Sequence, residues 1–273
     1  MRWLISAALA CALFLAAGAA PARERGEAIV LYPYAGQLKT IEVSIGGRPA
    51  RLLFDTGAGV TALTPQFAAQ IGCAPVGVIT AFRMDGERVR FQRCPAPVHI
   101  EAGGLDVSAD VAVFDLLSLL PPDLPPLDGV AGLDIFRGRA ITLQADLSAI
   151  VVETPASLRR RTRGRAPARI RLSQEGGGAG VTAFAPAPSR IGDLWLLLDS
   201  GNLAGLRLHP SAAEALGGPG PVTLAVEGAA PFEATPEIVD DLIYDGVLDA
   251  SFMRGYAITL DLGRARAWWT PAN

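Results

Sequence analysis

The sequence predicts a mostly β chain with short helices, built as a tandem duplication, and three observations predict it. Only 19% of the 273 residues are charged, while glycine (30) and proline (21) are plentiful, a balance that favours strands and turns over long helices. An apolar run followed by Asp, a small hydroxyl residue and Gly occurs twice, as "LLFDTG" (52–57) and "LLLDSG" (196–201). Further on, "DGVAGLDIFRGRAITL" (128–143) and "DGVLDASFMRGYAITL" (245–260) share Arg-Gly-x-Ala-Ile-Thr-Leu. Self-similarity over that length reads as a tandem duplication.

Taken in order, the first element is a leader. Residues 1–22, "MRWLISAALACALFLAAGAAPA", carry one positive residue, Arg2, then an apolar stretch, then small residues that offer cleavage after Ala19 or Ala22. That layout is a secretory signal peptide, and the stretch is short for a spanning helix. The mature chain is therefore expected to be exported, to the periplasm or beyond the cell, without stable membrane insertion. The first lobe, 27–154, begins with a hairpin turning at Gly46-Gly47 that leads into Asp55. "LTPQFAAQIG" follows as a short helix with Thr64 as cap, Pro in the first turn and Gly at the end. "ITAFRMDGERVRF" (79–91) alternates around Asp85-Gly86 as a second hairpin, the proline-rich "LLPPDLPPLDG" is a surface loop, and "QADLSAIVV" closes the lobe.

Residues 155–168, rich in arginine, read as a solvated linker. The second lobe, 169–273, repeats the order: a hairpin turning at Gly192-Asp193, Asp199, the helix "LHPSAAEALG" with His209 as a poorer cap, and the closing hairpin "DLGRARAWW". Trp268 and Trp269 read as packing residues, His99 as a strand residue, and Gly176-Gly177-Gly178 as a flexible loop. The net charge of −3 is too small to argue for nucleic acid or an anionic membrane surface, and no nucleic-acid partner is expected. Two cysteines remain after the leader, Cys73 and Cys94; in an oxidising compartment they either form a disulfide or stay as buried thiols.

The repeated Asp turn carries the chemistry. A carboxylate delivered by an apolar strand is costly to bury alone, and two-fold packing of the copies would make Asp199 the partner of Asp55. Two carboxylates in contact share one proton and titrate as a unit. A water between them can lose a proton to the ionised member while the protonated one stabilises an oxyanion. Gly57 and Gly201 would let the backbones approach, and Thr56 and Ser200 could tie the turns together. This chemistry needs no metal, cofactor or covalent intermediate. No His-Glu-x-x-His, Gly-x-Ser-x-Gly or phosphate loop competes with it.

"LLFDTGA" and "LLLDSGN" resemble the active-site signatures of aspartic proteases of the pepsin and retropepsin type, and "GVAGLDIF" resembles the apolar-apolar-Gly segment that lies against the Asp turn in that family. The resemblance implies a bilobal acid-protease-like fold of two retropepsin-like β-barrel lobes, acting as a monomer on a peptide or protein substrate held extended. It implies Asp55 and Asp199 as the catalytic pair, supported by Thr56, Gly57, Ala58, Ser200, Gly201 and Asn202. The hairpin at 79–91 would be the flap, with Phe82, Met84, Asp85 and Gly86 at its end. The second copy departs from the pattern: Asp249 stands where the first copy has Gly132. Either a third carboxylate then lies near the turn or the local path differs. The flap has no tyrosine, and a second flap is hard to place in the shorter copy. Beside the protease stand two other readings: a catalytically inactive peptide-binding or scaffold protein that retains the fold, and a first copy that pairs with another chain across a homodimer axis.

Overall fold

Residues 27–54 alternate apolar runs with glycine turns and form three consecutive antiparallel strands, Glu27–Tyr34, Leu38–Ile45 and Arg48–Phe54. The computed structural model describes residues 26–272 apart from 122 and 175; the expected leader, 1–22, lies outside the described residues. Ile45 pairs with Arg48, so the turn is the two-residue Gly46-Gly47, both with positive φ (57° and 77°). That conformation suits glycine and matches the twist of the flanking strands.

The strand Arg48–Phe54 buries Leu52, Leu53 and Phe54 and pairs in parallel with Gly129–Ala131. The strand Gly192–Leu198 pairs in parallel with Gly246–Leu248 in the same manner. Between the members of each pair, a two-residue strand (Ala62–Leu63 or Arg207–Leu208) lies antiparallel on the far side of the returning strand. Each Asp turn is thus held between a strand it leaves and a strand that returns beside it. The helix Pro65–Gln70 is capped by Thr64, and Pro210–Leu216 by the His209 side chain, which accepts from the Ser211 amide.

The two Arg-Gly-x-Ala-Ile-Thr-Leu stretches run side by side. Ala140–Leu143 pairs antiparallel with Tyr256–Asp261, with Thr142 opposite Thr259 and their buried hydroxyls 2.9 Å apart. Trp268 and Trp269 are buried on the next strand, Arg266–Pro271. Here the structure departs from the expectation of β-barrel lobes. The sheet order runs openly from Ala168–Arg169 to Val76–Phe82, because Ala140–Leu143 pairs with Ala149–Glu153 on one edge and with Tyr256–Asp261 on the other. Ala140–Leu143 and Tyr256–Asp261 thereby join the two halves in one sheet.

Three local expectations are corrected. The second hairpin turns at Arg190-Ile191, two residues before the expected Gly192-Asp193, since Ser189 already pairs with Gly192. The Ser189 hydroxyl closes that turn by donating to the Gly192 carbonyl and accepting from the Ile191 amide. The arginine-rich stretch holds a helix, Pro155–Arg161, started by a Thr154/Ser157 capping box. Arg161 anchors it through Glu153, which also accepts from Thr142 on the shared sheet. The loop at Gly177 and Gly178 is held by Arg137, whose guanidinium donates to the carbonyls of Gly178, Ala179 and Gly180. Cys73 and Cys94 are joined in a disulfide, which ties the end of the first helix to the hairpin strand Arg88–Arg93 and contributes roughly 3 kcal/mol for a loop of this length. No helix among the described residues is long and apolar enough to cross a membrane.

Candidate active site

Both aspartates are placed by their backbones first. The Asp55 amide donates to the Ala131 carbonyl and the Asp199 amide to the Leu248 carbonyl, each at 3.0 Å. The returning strands therefore fix where both turns begin. Within each turn the glycine amide donates to its own aspartate: Gly57 to Asp55 Oδ1 and Gly201 to Asp199 Oδ1, both at 2.8 Å. Gly201 also reaches across to Asp55 Oδ1 at 3.2 Å, and the two carboxyl groups are in hydrogen-bonding contact.

The glycines leave the room for this contact. A Cβ on Gly57 would lie 2.5 Å from Asp199 Cγ, and one on Gly201 2.6 Å from Asp55 Cγ. Each missing side chain is the space its partner's carboxylate occupies. The hydroxyl residues exchange bonds in the same reciprocal way. The Thr56 amide donates to Ser200 Oγ and the Ser200 amide to Thr56 Oγ1, both at 3.0 Å, and Thr56 Oγ1 donates to the Leu198 carbonyl at 2.6 Å. Thr56 and Ser200 are buried, so these bonds are shielded from competition with water.

Burial pushes the Asp55 carboxyl above the ordinary aspartate range, against hydrogen bonds from Asp199, Gly57 and Gly201 that favour its ionised form. Asp199, 3% exposed, is pushed well above that range, first by burial and then by the facing charge of Asp55. Both carboxyls are thus pushed up and titrate as one unit that shares a proton.

The supporting residues divide. The Ala58 amide donates to the Asp55 carbonyl, and Ala58 borders the cavity. Asn202 gives its amide to Asp199 Oδ1, while its side chain bonds Ala204 and Gly205 within its own loop. Asp249 is not a third carboxylate of the site. It caps the helix Ala250–Arg254, accepting from the amides of Ser251 and Phe252 and from the Ser251 hydroxyl. The chain path survives the exchange of Gly132 for Asp249, because the strand Gly246–Leu248 still supplies the carbonyl that holds Asp199.

A residue that the sequence reading passed over is Asp134. It is buried, accepts from the Thr61 amide (2.9 Å) and hydroxyl (2.7 Å), and through Thr61 Oγ1 holds the Gly132 amide. Burial raises its pKa to about 6. The signal was a lone carboxylate inside the apolar "GLDIF".

The hairpin Val76–Phe82 and Arg88–Arg93 arches over the pair. Its tip is closed by bonds between Arg83 and Glu87 and between Gly86 and Arg83, with Asp85 accepting from the Glu87 amide. Beneath it lies a cavity of about 340 Å³ that contains both aspartates. Leu53, Val60, Phe91 and Phe114 make its wall mainly apolar, while Leu197, Arg207 and Tyr244 border it from the C-terminal half. Phe82 and Met84 border it from the hairpin.

Residues 41–135 match the family model for aspartyl proteases. The fold is similar to that of basic 7S globulin from soybean, with a TM-score of 0.58 over 91% of this chain and 95% of that one. At 10% identity that is a likeness of fold alone. No curated protein sequence matches the chain.

Proposed function

We propose that this chain is an exported aspartic endopeptidase, assembled from two tandem copies of one unit (27–154 and 169–273) and acting as a monomer through Asp55 and Asp199. The observation that carries the reading is the contact of the two carboxyl groups, each seated in the space left by the other half's glycine. A turn aspartate with only a structural role does not require a partner's side chain to be absent.

In this mechanism a peptide lies extended between the hairpin and the pair. A water between the carboxyls transfers a proton to ionised Asp55 as its oxygen bonds to the scissile carbonyl carbon. Protonated Asp199 gives its proton to the carbonyl oxygen, which produces a neutral tetrahedral intermediate. Asp55 then delivers its proton to the departing nitrogen, one hydroxyl of the intermediate returns a proton to Asp199, and the C–N bond breaks. Acid and amine leave with the pair restored.

The test is hydrolysis of unfolded casein from acid to neutral pH by the mature chain and by Asp55→Asn and Asp199→Asn. Each substitution is expected to lower kcat at least ~10³-fold, in the range assigned to positioned acids and bases. Wild-type activity is expected to fall as pH rises and the pair loses its shared proton. Cleavage that survives both substitutions removes the mechanism. A second reading, a peptide-binding scaffold without turnover, is favoured by one feature: the hairpin tip is bonded down onto the C-terminal half. Peptide binding with no cleavage by the wild type would select it.

A further inference from the structure

On the C-terminal half the wall of the cleft is a sheet face. Leu197 borders the cavity that holds both aspartates. On a strand the residue two positions back shares that face, and here it is Trp195. Trp195 packs in one apolar cluster with Phe184, Leu197, Tyr244 and Met84. Met84 is the hairpin-tip residue whose carbonyl accepts from the Ile243 amide at 3.0 Å. Trp195 therefore continues the cavity wall, roughly 13 Å along the strand from Asp199.

Across that face lies an arginine. Arg171 pairs with Phe184, which pairs with Leu197, so Arg171 stands two strands out and its side chain reaches over the face. Its guanidinium carbon is 3.9 Å from the centre of the Trp195 ring, a close cation–π stack. Stacking uses the face of the guanidinium and leaves its N–H edge to donate. Among the described residues no carboxylate forms an ion pair with Arg171. Its neighbours differ. Arg169 is met by Asp193 at 2.9 Å and Glu227 at 2.6 Å, and Arg207, which borders the cavity, by Glu237 at 2.8 Å. Arg171 is exposed, so its charge is the one of the three that is open to a ligand.

We propose that Arg171, stacked on Trp195, is a specificity-determining residue that selects peptides with a glutamate or aspartate a few residues from the scissile bond, on the Asp199 side. This rests on the peptide-cleft reading above and adds a substrate class to it. A carboxylate arriving at Trp195 meets the planar fork edge-on and accepts two parallel hydrogen bonds. Glutamine has the same shape without the charge, and lysine is repelled. Arg171 touches no reacting atom, so it acts on KM and leaves kcat alone.

The experiment presents a library of unstructured peptides at about pH 6, where free glutamate is ionised. In one arm the mature wild-type chain and Arg171→Met cleave the library, and the cut sites are sequenced. In the other, Asp199→Asn and the double variant Asp199→Asn/Arg171→Met capture peptides without cutting them. Wild type is expected to favour Glu or Asp at a fixed distance on one side of the bond. Changing that residue to Gln in the best peptide is expected to raise KM about tenfold for wild type with kcat unchanged, and to leave KM of Arg171→Met where it was. Equal Glu-over-Gln discrimination by wild type and Arg171→Met overturns the proposal. A fall in kcat of Arg171→Met on both peptides alike, with the discrimination kept, makes Arg171 structural and overturns it too. If nothing is cut, the protease reading fails by itself. Arg171 is then decided by capture: acidic peptides enriched on Asp199→Asn and lost on the double variant support it, and equal capture overturns it.

Discussion

The two halves present the same Asp turn and brace it by different means. In the N-terminal half the strand returning beside the turn runs into a buried polar lock, with Asp134 on Thr61 and Thr61 on the Gly132 amide. In the C-terminal half Leu206 follows the turn where the first half has Thr61, and a capped helix replaces the lock. Asp249 starts that helix, and the Ala250 amide donates to the Asn202 carbonyl, so the helix start supports the turn directly. Each half also carries a hairpin after its first helix. The N-terminal one arches over the cleft and reaches the other half. The C-terminal one, Val222–Leu224 with Phe232–Ala234, is short and lies on its own half, with Phe232 stacked on Phe252. What is held in common is narrow: a carbonyl at 3.0 Å for each Asp amide, a glycine, and the hydroxyl exchange between Thr56 and Ser200. The bracing outside that set differs between the halves.

The sharpest way to break the comparison is to attack the common part from each side. Gly57→Ala puts a methyl against Asp199, and Gly201→Ala puts one against Asp55, at nearly equal approach. Neither neighbour can yield, because each carboxyl is held by its own turn amide. Both variants are expected to fold and to lose cleavage about equally, by ~10³-fold or more, since the geometry between acid and base is what they destroy. Retained activity in one of them, measured as kcat/KM on casein, would show that the halves do not contribute alike.

That common part was also the most legible in the sequence. Asp55 and Asp199 could be paired because the whole string around each recurs, flanks included. The Thr142–Thr259 contact lies in the same recurring string, yet repetition does not say which strand edges meet, so barrels were expected where the structure shares a sheet. The turn falls at Arg190-Ile191 rather than at Gly192 because the Ser189 hydroxyl closes it, a role that a serine marks less plainly in sequence than a glycine does. Asp134 was hidden by its context, since a single carboxylate in an apolar run has no pattern until Thr61 is seen beside it. The hairpin was read correctly as a hairpin. Its fastening to Ile243 depends on tertiary contact between distant residues and leaves no local trace.

A second comparison concerns charge. Asp134 titrates at about 6 in the folded chain against an ordinary 3.8, so between those values the folded state binds more protons than the unfolded one. Its contribution to stability is full below pH 3.8 and is lost as pH rises through 6. At about 1.4 kcal/mol per pH unit this amounts to about 3 kcal/mol. Asp134→Asn removes the titration. Urea unfolding of both proteins from pH 3 to 8, with the disulfide intact, is expected to show the wild type losing about 3 kcal/mol relative to the variant. Parallel curves would mean that the buried carboxyl keeps its charge and that Thr61 compensates for its burial.

The smallest effect lies at Asp249, where two roles for one carboxylate make opposite demands. As a helix cap it needs an acceptor oxygen and no charge. Asparagine caps about as well as aspartate, whereas alanine leaves the Ser251 and Phe252 amides without their acceptor and costs ~1 kcal/mol. As a third member of the acid–base pair it would need the charge, and Asp249→Asn would then move the pH profile of cleavage. The structure places its oxygens on the helix amides, so Asp249→Asn is expected to leave both stability and pH profile within a few tenths of wild type. Asp249→Ala is expected to lower unfolding stability by ~1 kcal/mol and to loosen Asn202, because Ala250 in the weakened first turn holds the Asn202 carbonyl. Hydrogen exchange at the Asn202 amide, which donates to Asp199, reads that loosening. A shifted pH profile in the asparagine variant would restore the third carboxylate and overturn the cap.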